Sequence, residues 1–513
     1  MKSFDVVVIG GGSAGCALAG RLARVDGLSV CLVEAGPDYG PRALGGWPPE
    51  LLDPRRTPRT HDWDYTVETP EGGSQEEARA QVIGGCSAHN QCAAVWGLPA
   101  DWDAWVSAGP PGWAYRDVAP VMDRVERMVG AVGAPNRGRN GAVPTRPWAE
   151  GELASWQRWF MESAMAAGFP RLADVGALAP DEGVAPFHAS VDDAVRWNAA
   201  FAFLDPVRGW SGLAVESQTL AERLVVEGGR AQALECRAIG DEVVTLAADR
   251  FVVCAGAFGS PTLLLRSGVG PAAHLEEVEI PVQLDLPGVG ENLHDHPGVA
   301  LVFEPGERAV RAREDDVASG RFHESQVNLR ARSGLCAEGF DLHFTPYQTR
   351  SEAREWRYEI LVFAMTPRSR GRLELRSRDW RTLPRINPRF LSDRTDHDLT
   401  VLADGVEVAR RVAATGPLAE VARAREPGPR GADGRKLAVW IRSTVRGYSH
   451  SVGTCRMGPA GDPGAVVDAR GRVHGLENVY VADASIIPKI PRANTNLTCM
   501  LLGLRIGDLL AGE

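Results

Sequence analysis

No stretch of this 513-residue chain approaches the ~20 consecutive apolar residues that a membrane-spanning helix needs. Excess positive charge is missing too. The net charge of −10 and an isoelectric point near 5.7 argue against nucleic acid and anionic membrane surfaces as partners. The nine cysteines are odd in number, scattered and without a C-x-x-C pair, which fits reduced thiols in a cytoplasmic protein better than a disulfide framework. Internal repeats and low-complexity tracts are absent. The apolar run behind Lys2 is expected to be a strand of the fold and not a cleavable leader. What remains is an ordinary globular composition, 44% hydrophobic and 24% charged, at a length that suggests roughly two to four domains.

The most informative stretch runs from Phe4 to Gly15, a β-branched run that empties into glycines. Gly10, Gly12 and Gly15 form G-x-G-x-x-G, and the spacing predicts a helix over Cys16 to Arg24 and a second strand over Leu28 to Val33. Such glycines turn the chain tightly, admit a pyrophosphate and let helix and strand pack closely, while the helix N-terminus favours the anion. Glu34 follows 19 residues after Gly15, where a carboxylate can bond a ribose 2′-hydroxyl. It disfavours a 2′-phosphate, so FAD or NAD fits better than NADP.

Pro48 to Arg59 shows no periodicity and reads as an irregular loop, with a short strand expected after Tyr65. The paired glycines of Gly84-Gly85-Cys86-Ser87-Ala88-His89-Asn90 allow backbone to lie against a flat ligand, although alone they also describe a tight turn with a buried histidine. Asp117 to Met128 and Asp192 to Leu204 read as helices, and 136–148 as a loop. Leu213 to Val215 and Arg223 to Glu227 read as hairpin strands, and Phe251 to Val253 as a buried strand. Trp113, Trp156 and Trp159 read as packing residues. From about Pro297 to Arg442 strands alternate with arginine-rich turns, which marks a second domain. The last seventy or so residues return to glycine- and acid-rich motifs, then Asn494 to Thr498 and an apolar helix to Leu510, so the cofactor domain is expected to assemble from distant pieces.

Five segments in order carry a resemblance to the glucose–methanol–choline (GMC) oxidoreductases. They are Gly10 to Gly15 with Glu34, Gly256 to Gly270, Gly290 to His296, His450 to Gly458, and Asp483-Ala484-Ser485. The resemblance implies an FAD enzyme of mixed α/β class, with a Rossmann-like domain and a substrate domain on an antiparallel sheet. The expected boundaries are FAD-binding segments at 1–150, 151–296 and 445–513, and a substrate domain at 297–444. It also implies flavin contacts at Gly10, Gly12, Ser13, Ala14, Gly15, Glu34, Ala35, Trp63, Val82, Gly85, Ser87, His89, Asn90, Ala93, Leu220, Ala255, Gly256, Asp483, Ala484, Asn494 and Asn496. His294 and His296 have H-x-H spacing, but no third ligand cluster accompanies them, and they are expected to be structural rather than metal-binding.

Within the family the local pattern is most similar to choline oxidases, whose histidine at the His89 position bonds the flavin covalently. That similarity implies a tethered FAD, with Glu304 facing a substrate ammonium and His343 in the active site. Phe322 and His323 stand where those enzymes place paired tryptophans, which puts choline itself in doubt. His450 is implied as the base or alkoxide stabiliser and Asn494 as a hydrogen-bond partner of the substrate oxygen. Thr495 departs from the usual proline after that asparagine. The implied activity is oxidation of a small primary alcohol, an amino alcohol favoured, with O₂ as acceptor. A dehydrogenase using a quinone or protein acceptor and a redox-silent lyase are the alternatives, the latter at odds with a tethered flavin. Arg332 and Arg350 lie near the expected pocket segments and offer a way to select an acid. A homodimer is common in such relatives.

Overall fold

The computed structural model describes residues 2–107, 109–130, 137–350, 355–428 and 434–512. The opening strand Lys2–Ile9 lies inside a sheet with parallel neighbours on both sides, Val30–Val33 and Val243–Val253. Covered on both faces, Val6 to Ile9 are buried, which accounts for an apolar run without alternation. Leu213–Glu216 extends the sheet in parallel beyond Val30–Val33. It is therefore not half of a hairpin; that role falls to Leu220–Glu227 and Arg230–Arg237, turning at 228–229. The far side of Val243–Val253 divides: its first residues pair with Arg230–Arg237 and its last with Val479–Val481.

The helix Ser13–Leu22 packs along the final helix, Asn496–Ala511. Gly503 permits this contact, since a Cβ there would lie 2.1 Å from the carbonyl oxygen of Ala14.

The second layer is a six-stranded sheet in the order Ala422–Glu426, Gly298–Pro305, Trp356–Ala364, Leu342–Arg350, Val327–Ala331, Gly183–Pro186, with every pairing antiparallel. One face packs on the helices Ser155–Ala166 and His397–Ala413 through Phe160, Leu329, Phe344, Val362 and Leu402. The alternate positions, among them Arg330, His343, Thr345, Leu361 and Phe363, face the other way, toward the cofactor domain. The expected boundary at 151–296 needs correction, because Ser155–Ala166 and Gly183–Pro186 belong to this second layer.

Several local expectations also give way. Pro49–Leu52 forms one helical turn in the stretch read as a loop. Within 136–148, residue 136 lies outside the described residues and Val143–Pro147 is a strand. The helix read over Asp192 to Leu204 is a small hairpin, Val191–Asp192 with Val195–Arg196, followed by a π-helical turn at Ala200–Leu204. The Asp193-Ala194 corner, at φ 48° and 57°, interrupts any helix there.

Candidate active site

The glycine loop is built as its spacing predicts. Gly10 has φ 104°, and a Cβ at Gly15 would fall 1.8 Å from the Gly10 carbonyl oxygen. The helix's own bonding opens with Cys16 N–H to the Gly12 carbonyl, 2.9 Å, so the N–H groups ahead of it have no intrahelical partner. In front of the loop there is room: a Cβ at Gly12 would meet only the Gly85 Cα, at 3.9 Å, and one at Gly256 would meet nothing within 4 Å. Ser13 Oγ donates to Asn496 Oδ1 at 2.8 Å, so the N-termini of the first and last helices converge on one point. Glu34 is buried, and its two carboxylate oxygens accept from Gly11 N–H at 2.7 Å and Gly36 N–H at 2.8 Å. These features fit a dinucleotide: anion-binding N–H groups, a cradle that side chains would fill, and a carboxylate at the end of the second strand.

Other expected flavin contacts gather around this loop. Gly84 N–H donates to the Gly11 carbonyl at 2.7 Å, and Gly85 abuts Gly12. Ser87 Oγ ties the segment to the Gly84 carbonyl at 2.5 Å. Val82 is fully buried, and Ala93 bridges to Ala189. Thr219, beside Leu220, bonds the Glu34 carbonyl at 2.8 Å, and Trp63 stacks beside Tyr65. Buried Asp483 accepts from Gly256 N–H, Ser260 Oγ and Ser485 and so locks the end of Val479–Val481 to the helix Gly256–Arg266. Asn90 spends its amide oxygen locally, on Cys92 N–H at 2.9 Å. His89 is buried, its Nδ1 has no partner, and burial holds it down at about 4.

The His-rich centre lies where the second sheet meets the cofactor domain. His450 Nε2 is 3.2 Å from Asn494 Nδ2, and its Nδ1 is 3.1 Å from His296 Nδ1. Burial keeps His450 well below the ordinary histidine range, with His296 and Arg79 adding to the effect, so it is neutral at pH 7. The loop bearing it hangs from Asp295. This buried carboxylate accepts the backbone N–H groups of His296, Tyr448 and His450 and the Ser451 hydroxyl, at 2.7–3.2 Å. Burial pushes Asp295 up to about 7, and the charge of Glu77 adds to the effect. Ser449, just before His450, sits at φ 61°, a strained setting for a non-glycine residue that the Asp295 bonds hold in place.

Tyr448 lies flat on Phe363 with centroids 3.6 Å apart and packs against His450 at 4.2 Å. Its hydroxyl is 3.2 Å from Thr345 Oγ1, which donates to Asn328 Oδ1. His343 is opposite Phe363 and Arg330 in the sheet, 5.9 Å from Tyr448 between ring centroids; its Nδ1 is unpartnered, and burial lowers it to about 3. His450, Asn494 and His343 are thus brought together.

Glu304 is not. It is exposed near the outer end of Gly298–Pro305, opposite Arg423 on the edge strand, so the expected ammonium partner is placed outside this centre. At the inner end that strand presents Gly298, where a Cβ would strike the Phe363 ring at 2.2 Å. Phe322 packs on Trp356 and His323 on Trp148, and neither contacts the His450 group. Arg332 and Arg350 are exposed; the buried arginine of this sheet face is Arg330, which bonds the carbonyls of Ala177 and Ala179.

His294 is structural, its Nδ1 on the Asn292 carbonyl and its Nε2 accepting from Ile490 N–H. His296 is more than that, since it touches His450. The ligand atoms of Asp295, His296 and His450 lie within 4.8 Å of one another, yet each already bonds another member or the backbone. Sequence reasoning missed Tyr448 and Thr345. The second was within reach, because alternation along Leu342–Arg350 puts it on the face of His343.

Comparison with known proteins fits this layout. Residues 4–298 and 367–503 match the N-terminal and C-terminal family models described as GMC oxidoreductase. The chain belongs to the GMC oxidoreductase family. This GMC enzyme is 33% identical to choline oxidase of Arthrobacter globiformis, an alignment spanning 100% of this chain and 96% of the relative. It is 29% identical to an oxygen-dependent choline dehydrogenase of Photobacterium profundum, over 100% and 93% of the two chains. Among solved structures it is similar to pyridoxine 4-oxidase from Mesorbium loti, with a TM-score of 0.88, 28% identity and 99% of both chains covered. Formate oxidase of Aspergillus oryzae, at 21% identity and TM-score 0.88 over 100% and 98%, shares the fold. Membership makes the chain an FAD-dependent oxidoreductase of the alcohol oxidase and dehydrogenase class. Among the described residues no helix is long and apolar enough to cross a membrane.

Proposed function

We propose that the enzyme oxidises a small primary alcohol to the aldehyde and delivers the electrons to O₂, forming H₂O₂. The supporting observation is the neutral His450, whose Nε2 meets Asn494 Nδ2 at 3.2 Å beside the flavin-binding segments. FAD, when bound, supplies the hydride acceptor. His450 takes the hydroxyl proton at Nε2 while Asn494 bonds the same oxygen and orients it. A base so placed contributes about 10²–10⁴-fold. Tyr448 and Phe363 wall the carbinol in, and burial of the centre keeps water away from the reacting atoms.

With Glu304 outside the centre, the amino-alcohol preference loses its anchor. The polar groups on this sheet face, Thr345, Asn328 and the Nδ1 of His343, instead suit an uncharged alcohol bearing hydrogen-bonding substituents. Full-length similarity to choline oxidase favours an amino alcohol as the second reading. An anaerobic screen of primary alcohols, with and without an amine, decides between them by which bleaches the flavin. Peroxide released in air, set against reduction of an artificial quinone, separates oxidase from dehydrogenase.

His89 is assigned as the tether of the flavin. Its buried, neutral ring closes the segment that packs on the glycine loop. Acid-precipitated protein is expected to stay yellow, with a His89 peptide heavier by one FAD; flavin left in the supernatant refutes the tether.

A further inference from the structure

His296 is fully buried between the two elements that carry the reacting groups. Its Nε2 lies 3.1 Å from the carbonyl oxygen of Pro491, three residues before Asn494. A carbonyl can only accept, so Nε2 holds the proton of this ring. Burial lowers His296 to about 3, the ring is neutral at pH 7, and its Nδ1 is therefore a bare lone pair. That lone pair is 3.1 Å from His450 Nδ1. Two lone pairs repel at such a distance, so His450 Nδ1 is the donor. His450 is neutral too, which leaves its Nε2 unprotonated. Asn494 then turns its NH₂ toward Nε2, consistent with an Oδ1 that has no protein partner.

We propose, resting on the alcohol-oxidation reading, that His296 is a positioning residue that fixes the proton of His450 on Nδ1 and so presents Nε2 as the base. The direction of donation is set from the backbone end: Asn494 to His450 to His296 to Pro491. One ring thus orients both reacting groups, His450 through a side-chain bond and the Asn494 loop through a backbone bond.

The chain of bonds is also closed. When the alcohol O–H breaks, its proton forms a new N–H at His450 Nε2, and the C–H electron pair leaves as hydride to the acceptor. The imidazolium cannot discharge through His296, because the last member is a carbonyl that takes no proton. The proton therefore stays on His450 until it leaves by Nε2. The other groups facing this ring are Tyr448, His343, Arg79 and, on its backbone N–H, Asp295. None of them supplies a second acceptor for the Nδ1 proton.

The test uses the holoenzyme with ¹⁵N-labelled histidine, His450 being assigned by loss of its signals in His450→Gln. The expected spectrum has a protonated Nδ1 and a bare Nε2 at His450; a resting enzyme with the proton on Nε2 overturns the proposal. In His296→Leu, which removes the acceptor, anaerobic flavin reduction is expected to slow by about 10²-fold, toward the loss of a positioned base, with half-saturating alcohol unchanged. His296→Asn, which keeps an oxygen near the Nδ1 position, is expected to recover most of that rate. Wild-type reduction in His296→Leu refutes the role. If His296→Leu does not fold, the wild-type spectrum decides alone. If no alcohol reduces the flavin, the reaction is wrong while the proton assignment still stands or falls by the spectrum.

Discussion

Replacing Asp295 with asparagine separates stability from catalysis in a way the structure makes calculable. The carboxylate is ringed by three backbone N–H groups and one hydroxyl, and burial pushes it from 3.8 up to about 7. That displacement corresponds to about 4 kcal/mol carried by the ionised form. Asparagine avoids this cost. In exchange, asparagine puts an NH₂ where the carboxylate had its second acceptor oxygen and leaves one buried N–H group without a partner, at about 1–3 kcal/mol. The first outweighs the second, so thermal stability near pH 7 is expected to rise by about 1–3 kcal/mol. The loop with Ser449 at φ 61° nonetheless loses its restraint, and flavin reduction is expected to fall about 10- to 100-fold, at 1.4 kcal/mol per decade.

The pH dependence supplies a second check. Because the folded value is raised, Asp295 contributes stability that is fully present below 3.8 and lost as pH rises through about 7. Only the ionised form accepts all four donors, so the wild-type reduction rate should climb through about pH 7. In Asp295→Asn that limb should vanish. Anaerobic stopped-flow bleaching from pH 5.5 to 9, with melting curves alongside, measures both. A limb that survives in the variant, or a melt lowered by several kcal/mol, refutes the reasoning.

His450→Ala should slow flavin reduction by about 10²–10⁴-fold while the protein stays yellow, as checked by absorbance and single-turnover kinetics. Gly15→Ala drives a methyl to 1.8 Å from the Gly10 carbonyl and should yield protein without flavin, measured by the absorbance ratio of flavin to protein. Glu304→Gln should leave kcat/KM unchanged for every alcohol oxidised, amines included; a selective loss for cationic alcohols restores the discarded role.

The glycine loop, Glu34 and the Val479–Val481 strand were legible in the chain because each reports a local physical demand: close backbone approach, anion binding, burial on two faces. The centre around His450 was legible only in part. His450 and Asn494 stand in marked motifs, whereas the contact of His296 with His450 spans 154 positions and no spacing rule announces it. Glu304 failed for a related reason. Its role came from the resemblance alone, and a strand advances about 3.3 Å per residue, so the six steps from Gly298 carry Glu304 roughly 20 Å from the inner end. Asp192 to Leu204 failed differently: Ala199 to Leu204 are all buried, and such burial leaves little period to separate a helix from a π-turn.

The hydroxyl of Ser13 and the amide of Asn496 meet although 483 positions separate them. During synthesis, then, the flavin's cradle stays half-built until residue 496 has emerged from the ribosome. A nascent chain stalled before Asn496–Ala511 would carry the complete glycine signature and still lack the partner of Ser13.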